Sequence, residues 1–273
     1  MKKFTVGVIQ MDSQDNVEKN LQTAVEFIGE AAARGAKLIA MPESMNYVGT
    51  DNAGHAENIP DGPTFCLMAE QAKKHHVWLH CGSIYEKNEK DPRPYNATMV
   101  ISPEGELAAK YHKIHPFDVI IPDGPVNKES DRICPGSEIV TVDTGEVGCL
   151  GLSICYDIRF PELIRTLTLR GVDVLFVAAQ WPLLRKGHWQ VLNRVRAIEN
   201  QCFVVAVNGC GMAGETKYAG YSAAIDPWGE TITGAGESEK ILAAELDLDM
   251  IRGIRESINI YRDRRPGIYH LGV

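Results

Sequence analysis

The stretch GLSICYDIRFPEL, residues 151–163, passes from an apolar run into a charged segment at Cys155, and Pro161 stands where a helix would open. A short apolar run bounded by turn signals reads as a buried strand. Strand, turn and helix in that order are the repeating unit of α/β folds. Cys155 at the seam has two readings. Free cysteine is among the most buried residue types, so a cysteine after an apolar strand is by default a packing residue. In open α/β sheets, however, sites collect beyond the carboxyl ends of strands, which is where a nucleophile would stand.

The same pattern extends in both directions. FTVGVIQ (4–10) reads as a buried strand, Val17, Leu21, Ala24, Val25, Ile28 and Ala32 recur at helical spacing before Gly35, and KLIAMPE (37–43) is a second strand ending at a proline. This βαβ unit predicts parallel strands and a right-handed crossover. A helix over 64–75 leads into VWLHCGSIY, and NATMVIS, SPEG and ELAAKYHK make a hairpin. Residues 114–137 are rich in proline with little periodicity and read as a long surface excursion of the kind that carries function. After the strand ending at Ile154 come a helix from Pro161 to Arg170, the strand DVLFVAA and a helix near 187–200. FVVAVN, the hairpin YSAAIDPWGETIT, the strand KILAAELDL and a short helix near 249–256 complete the order. Parallel units interrupted by hairpins argue for mixed sheets covered by helices.

A chain of 273 residues with 44% hydrophobic and 23% charged residues can bury one large core, and a single domain over 1–273 with a tail from about 258 is expected. The net charge of −8 disfavours nucleic acid and anionic membranes, which reward clustered Lys and Arg, and points to a small-molecule substrate. MKKFTVGVIQMD reaches Asp12 before a secretory apolar segment builds up, and no later run approaches a membrane span, so a cytoplasmic protein is expected. The 7 cysteines lack CxxC spacing and no HExxH occurs, so neither a disulfide framework, a bound metal nor another cofactor is expected; most of the thiols should be inert core residues.

Three reactive side chains fall at strand ends: Glu43 after KLIAMP, Lys113 after ELAAKYH and Cys155 after VGCLGLSI. Each alone is ordinary. Together they are chemically complementary, because a carboxylate can take a thiol proton and an ammonium can stabilise the oxyanion formed when sulfur attacks a carbonyl. Metal-free hydrolysis of a carbon–nitrogen bond needs no more.

With MPES around Glu43, YHKIHPFD around Lys113 and ICYDIRFPE around Cys155 in this order, the chain resembles the carbon–nitrogen hydrolase (nitrilase) superfamily from FTVGVIQMD to DPWGE and RRPGIY. The resemblance implies an α/β fold, a four-layer αββα sandwich with two mixed sheets, paired through its helices into a homodimer or higher homo-oligomer. It implies that Cys155 is the nucleophile, Glu43 the general base and Lys113 the stabiliser of the tetrahedral intermediate, with the backbone N–H of Tyr156 sharing the oxyanion. It also implies a second carboxylate near Lys113, which matches Glu129 in VNKESD.

CYDIRFPE is most similar to the Nit-type amidases, and the Trp-Pro after AAQ resembles the ω-amidases, which act on the terminal amide of short dicarboxylic monoamides such as 2-oxoglutaramate. Deaminated glutathione and N-carbamoyl amides are the alternative substrates. Arg159, Trp181 and His188 are candidate substrate contacts. For Arg159 an ion pair with Asp157 or Glu162 is the competing role, while His112 and His115 are expected to pack or cap the loop around Lys113. A silent binding or scaffold member of the family would lack a member of the triad, and Glu43, Lys113 and Cys155 are all present.

Overall fold

The computed structural model describes residues 3–120 and 126–269; residues 121–125 of the expected excursion and the last residues of the tail lie outside them. The first half builds β1 (Lys3–Gln10), α1 (Val17–Ala33), β2 (Ala36–Ala40), α2 (Pro63–His75), β3 (Trp78–His80), β4 (Ile84–Glu86), β5 (Tyr95–Ile101) and β6 (Leu107–His112). A small hairpin, β7 (Asp118–Ile120) with β8 (Val126–Lys128), occupies the excursion. The second half builds β9 (Thr141–Asp143), β10 (Cys149–Ile154), α3 (Pro161–Leu169), β11 (Val174–Ala179), α4 (Lys186–Asn200) and β12 (Phe203–Asn208). It closes with β13 (Met212–Ala213), β14 (Thr216–Lys217), β15 (Ala223–Ile225), β16 (Thr231–Gly234), β17 (Lys240–Asp247), α5 (Asp249–Ser257) and α6 (Ile260–Asp263).

Two mixed sheets result. One has the order β17-β1-β2-β3-β5-β4 with β6 on β5, and the other runs β16-β15-β12-β11-β10-β9. β1 and β2 are parallel, as the βαβ reading requires, and so are β10, β11 and β12. Alternation along the strands decides the layering. Val6 and Val8 of β1 and Leu38 of β2 face Leu152, Phe176 and Val205 of the other sheet in one apolar layer. Ile9 and Ile39 point the opposite way, onto Ala24, Ile28 and Met68 of α1 and α2. Leu175 and Val177 likewise meet Leu163, Leu167 and Ala197 of α3 and α4. Period-two strands apolar on both faces and helices with one apolar stripe stack in only one way, helix on sheet on sheet on helix. Asn16 caps α1 by accepting from Lys19 N at 3.0 Å, and Pro161 opens α3. No helix among the described residues is long and apolar enough to cross a membrane.

Cys66 is exposed on α2, while Cys81, Cys134, Cys202 and Cys210 are buried, so most of the thiols are core residues as expected. VWLHCGSIY breaks between β3 and β4 at Gly82, which has φ +52°. There Ser83 N donates to Pro42 O at 3.3 Å, and Ser83 Oγ accepts from Ser44 N at 2.9 Å, so the break grips the segment that carries Glu43. A Cβ on Gly82 would lie 1.8 Å from Pro42 O. Gly82→Ala is therefore expected to cost about 2–4 kcal/mol in urea unfolding, from the left-handed backbone and the forced shift of Pro42. Stability within about 0.5 kcal/mol of wild type would contradict this account.

Candidate active site

The carboxyl ends of β2, β6, β10 and β11 converge beside a pocket of about 500 Å³ whose wall includes Glu43, Lys113, Glu129, Cys155, Tyr156 and Trp181. Glu43 follows the Pro42 turn beyond β2. Its Oε1 accepts from Asn96 Nδ2 at 2.8 Å and from Lys113 Nζ at 3.1 Å, and its Oε2 accepts from Gln180 N at 2.8 Å. Gln180 Nε2 also donates to the Glu43 backbone carbonyl at 2.9 Å, which ties the first sheet to the end of β11 in the second.

Lys113 follows β6 directly, and its backbone is tethered on both sides: its N–H donates to Asn96 O and its carbonyl accepts from Gly136 N. Lys113 is 1% exposed, and its ammonium lies between two carboxylates, with Nζ at 2.9 and 2.8 Å from the oxygens of Glu129 as well as on Glu43. Burial alone would pull the ammonium toward neutrality, yet Glu129 and Glu43 outweigh it and hold Lys113 well above the usual lysine range. Glu129 opens a helical turn that Ser130 anchors by donating from N and Oγ to Asp118 on the β7–β8 hairpin. The described part of the excursion thus supports the second carboxylate.

Cys155 stands at the end of β10 with φ +49°, a left-handed conformation that costs an ordinary side chain about 1–3 kcal/mol. The turn over Cys155–Arg159 follows the strand, and the thiol lines the same pocket wall as Glu43, Lys113 and Glu129, close enough for all three charges to act on it. Burial pushes the thiol well above the ordinary cysteine range; Glu43 and Glu129 push the same way and Lys113 only partly opposes them. The thiol therefore carries its proton at neutral pH.

Arg159 lies on the pocket wall, where its guanidinium sits 4.8 Å from the Trp181 ring and Nη2 donates to His188 Nδ1 at 3.3 Å. The expected ion pair with Asp157 or Glu162 is not made. Asp157 is spent on Tyr111, Ile154 and His115 instead, and Glu162 is exposed on the first turn of α3. His188 is exposed and reaches the site only through Arg159. His112 bonds to Glu86 and stacks on Tyr95, and His115 stacks on Phe160, so both pack as expected.

Several lining residues escaped the sequence reading. Arg132 and Arg185 join Arg159 on the wall, and Tyr85 and Tyr218 flank the carboxylates. Burial pushes the Tyr85 phenol up to about 12 and raises that of Tyr218 further, so both hydroxyls stay protonated and able to donate. A polar residue inside an otherwise buried strand was the available signal for Asn96; nothing local marked Gln180. Among the described residues no group of His, Cys, Asp and Glu is arranged to hold a metal ion.

Two mixed sheets packed face to face under helices, with a carboxylate, an ammonium and a thiol meeting at one end, define a class of hydrolases that cleave carbon–nitrogen bonds other than peptide bonds. Residues 5–256 match the carbon-nitrogen hydrolase family, and the chain belongs to it. It is 37% identical over 264 residues to the deaminated glutathione amidase of Synechocystis, an alignment covering 94% of this chain and 97% of the relative. It is 35% identical over 273 residues to the human omega-amidase NIT2, covering 98% of each chain. The crystal structure of Nit3 from Saccharomyces cerevisiae, a member of branch 10 of the nitrilase superfamily, superposes with a TM-score of 0.88 at 28% identity over 97% of both chains. The chain is thus an amidase of the Nit type, with the αββα sandwich of that superfamily.

A neutral resting thiol is directly measurable. In the difference in ultraviolet thiolate absorbance between wild type and Cys155→Ser, no signal is expected below about pH 9, because the folded pKa lies above the ordinary value of about 8.5. A midpoint at or below that value would show a preformed thiolate.

Proposed function

We propose that the protein hydrolyses the terminal amide of a linear, carboxylate-bearing monoamide, of which 2-oxoglutaramate is the leading example, releasing ammonia through a thioester on Cys155. What supports this reading is the thiol on one pocket wall with the Glu43 carboxylate, whose Oε1 accepts from the Lys113 ammonium. As Sγ attacks the amide carbon its proton passes to Glu43, so no free thiolate accumulates beside two carboxylates. The developing oxyanion is stabilised by Lys113 and by the Tyr156 N–H, which opens a helical turn and has no acceptor within it. Each such donor is worth about 3 kcal/mol in the transition state. Glu43 then returns the proton to the leaving nitrogen, ammonia departs, and a water deprotonated by Glu43 attacks the thioester to give the acid and the free thiol. Glu129 acts through Lys113, holding the ammonium charged and aimed.

The carboxylate on the substrate is argued from cations without partners. Burial weakens the hold of the Arg159 guanidinium on its charge and the nearby Arg185 adds to this, and among the described residues neither arginine has a carboxylate partner. Two guanidiniums sharing a wall are an anion site, because a planar fork binds a carboxylate through paired bonds. A second reading has its own support: a pocket of about 500 Å³, with Arg132 as a further cation on its wall, also accommodates a longer acid such as deaminated glutathione, the activity for which the Synechocystis relative is named.

The same reading includes homodimerisation and a cytoplasmic location, where an active thiol stays reduced. Val191, Val195 and Ile198 recur at helical spacing on the outer face of α4 and are exposed, an apolar stripe suited to pairing with a second copy.

Ammonia release from 2-oxoglutaramate, deaminated glutathione and an N-carbamoyl amine, compared by kcat/KM, separates the substrates. No release from the first would reject it. Arg159→Leu is expected to lower kcat/KM for the favoured acid by about 100-fold, the cost of a lost charged pair, while sparing an uncharged short amide. Cys155→Ala should abolish turnover and the acyl adduct seen by mass spectrometry with a slow amide; turnover near wild type would remove the thioester mechanism.

A further inference from the structure

The strand ends that carry Lys113 and Cys155 belong to different sheets, and among the described residues no backbone hydrogen bond joins residues 111–115 to residues 153–157. One side chain joins them. Asp157 Oδ2 accepts from Tyr111 Oη at 2.7 Å and from Ile154 N at 2.9 Å, while Oδ1 accepts from His115 N at 3.1 Å and His115 Nδ1 at 2.7 Å. Tyr111 and His115 stand two residues on either side of Lys113, and Ile154 precedes Cys155. We infer that Asp157 is a positioning residue for amide hydrolysis, its buried carboxylate setting the placement of the Lys113 ammonium against the Cys155 thiol by gripping both strand ends.

The chemistry of the grip suits that role. Asp157 is fully buried, and a carboxylate out of water is tolerated only where its lone pairs are taken up; four donors do so here. On the Cys155 side the bond to Ile154 N closes a turn across the residue held at φ +49°, so the same oxygen that reaches Tyr111 maintains the strained nucleophile. On the Lys113 side the carboxylate requires His115 Nδ1 to carry a proton. The His115 ring is clamped at 3.6 Å from Phe160, the residue that precedes α3. Tyr111 Oη in turn accepts from Ile114 N at 3.3 Å, so the backbone on the far side of Lys113 is drawn into the same knot. Placement within a fraction of an ångström matters because the ammonium and the sulfur act on one tetrahedral carbon, and a misplacement of about 1 Å can cost about 100-fold in rate.

Asp157→Asn keeps the shape but turns one acceptor oxygen into a donor, which opposes either the His115 pair or the Ile154–Tyr111 pair. Tyr111→Phe removes the hydroxyl, and with it the bond to Asp157 and the one from Ile114 N, and keeps the ring. The role rests on Cys155 being the nucleophile, and the two ideas fail separately. Activity in Cys155→Ala would remove the nucleophile, whereas wild-type acylation in Asp157→Asn would remove only the positioning role. In single-turnover acylation at saturating substrate, Asp157→Asn is expected to be slower by about 100-fold and Tyr111→Phe by about 10-fold, with KM changed less than about threefold. The fraction of Cys155 that can be acylated should stay at the wild-type level. Acylation rates within about threefold of wild type in folded protein would overturn the inference. So would a loss that matched a fall in the acylatable fraction, since that is what mere unfolding produces. If Asp157→Asn does not fold, Tyr111→Phe decides by the same criteria.

Discussion

The ammonium of Lys113, withdrawn almost completely from water, is the constraint on which the site is built. Taking an ammonium into a protein interior costs several kcal/mol unless countercharge and hydrogen bonds replace the water, and removing one partner of such a group costs about 3–5 kcal/mol. Glu43 and Glu129 supply the countercharge from opposite sides of Nζ. That demand brings together a turn after β2, a strand end after β6 and a hairpin projecting between the two halves of the sequence. Asn96 and the Gln180 N–H then satisfy the Glu43 lone pairs that Lys113 leaves open.

The same arrangement governs the thiol. Two carboxylates and one ammonium leave an excess of negative charge beside Cys155, so the sulfur keeps its proton, and in the proposed mechanism gives it up to Glu43 only as an electrophilic carbon arrives. Catalytic thiols beside a cation reach the thiolate by a lowered pKa; the Cys155 thiol is instead kept neutral beside a carboxylate. A neutral thiol is also cheaper to hold in a buried, left-handed turn than a thiolate would be, so electrostatics and backbone strain favour the same resting state.

Beyond the triad the pocket changes sign. Glu43 and Glu129 lie deep, while Arg132, Arg159 and Arg185 line the wall, Arg159 lying over the indole of Trp181 and Arg185 over the ring of Phe117. Under the proposed reading that polarity would orient an acid-bearing amide: its carboxylate would be repelled from Glu43 and Glu129 and drawn to the guanidiniums, leaving the amide facing sulfur.

What the sequence determined by itself was local and periodic. Alternation in FTVGVIQ and DVLFVAA, helical spacing from Val17 to Ala32, Pro161 at a helix start and turn signals such as SPEG announced nearly every element and placed Glu43, Lys113 and Cys155 at strand ends. These features are written within a few residues, where backbone preference and burial decide the conformation. The break inside VWLHCGSIY was not legible because it depends on a contact between Gly82 and Pro42, about 40 residues away in sequence. Arg159 misled for a related reason: its nearest carboxylates in sequence, Asp157 and Glu162, are turned toward other partners or solvent. Tertiary structure alone decided that Gln180 and Asn96 aim Glu43, that three arginines share a wall, and that Asp157 bridges two sheets. Each is a hydrogen bond or charge contact between segments far apart in the chain, and such contacts exist only once the two sheets have packed.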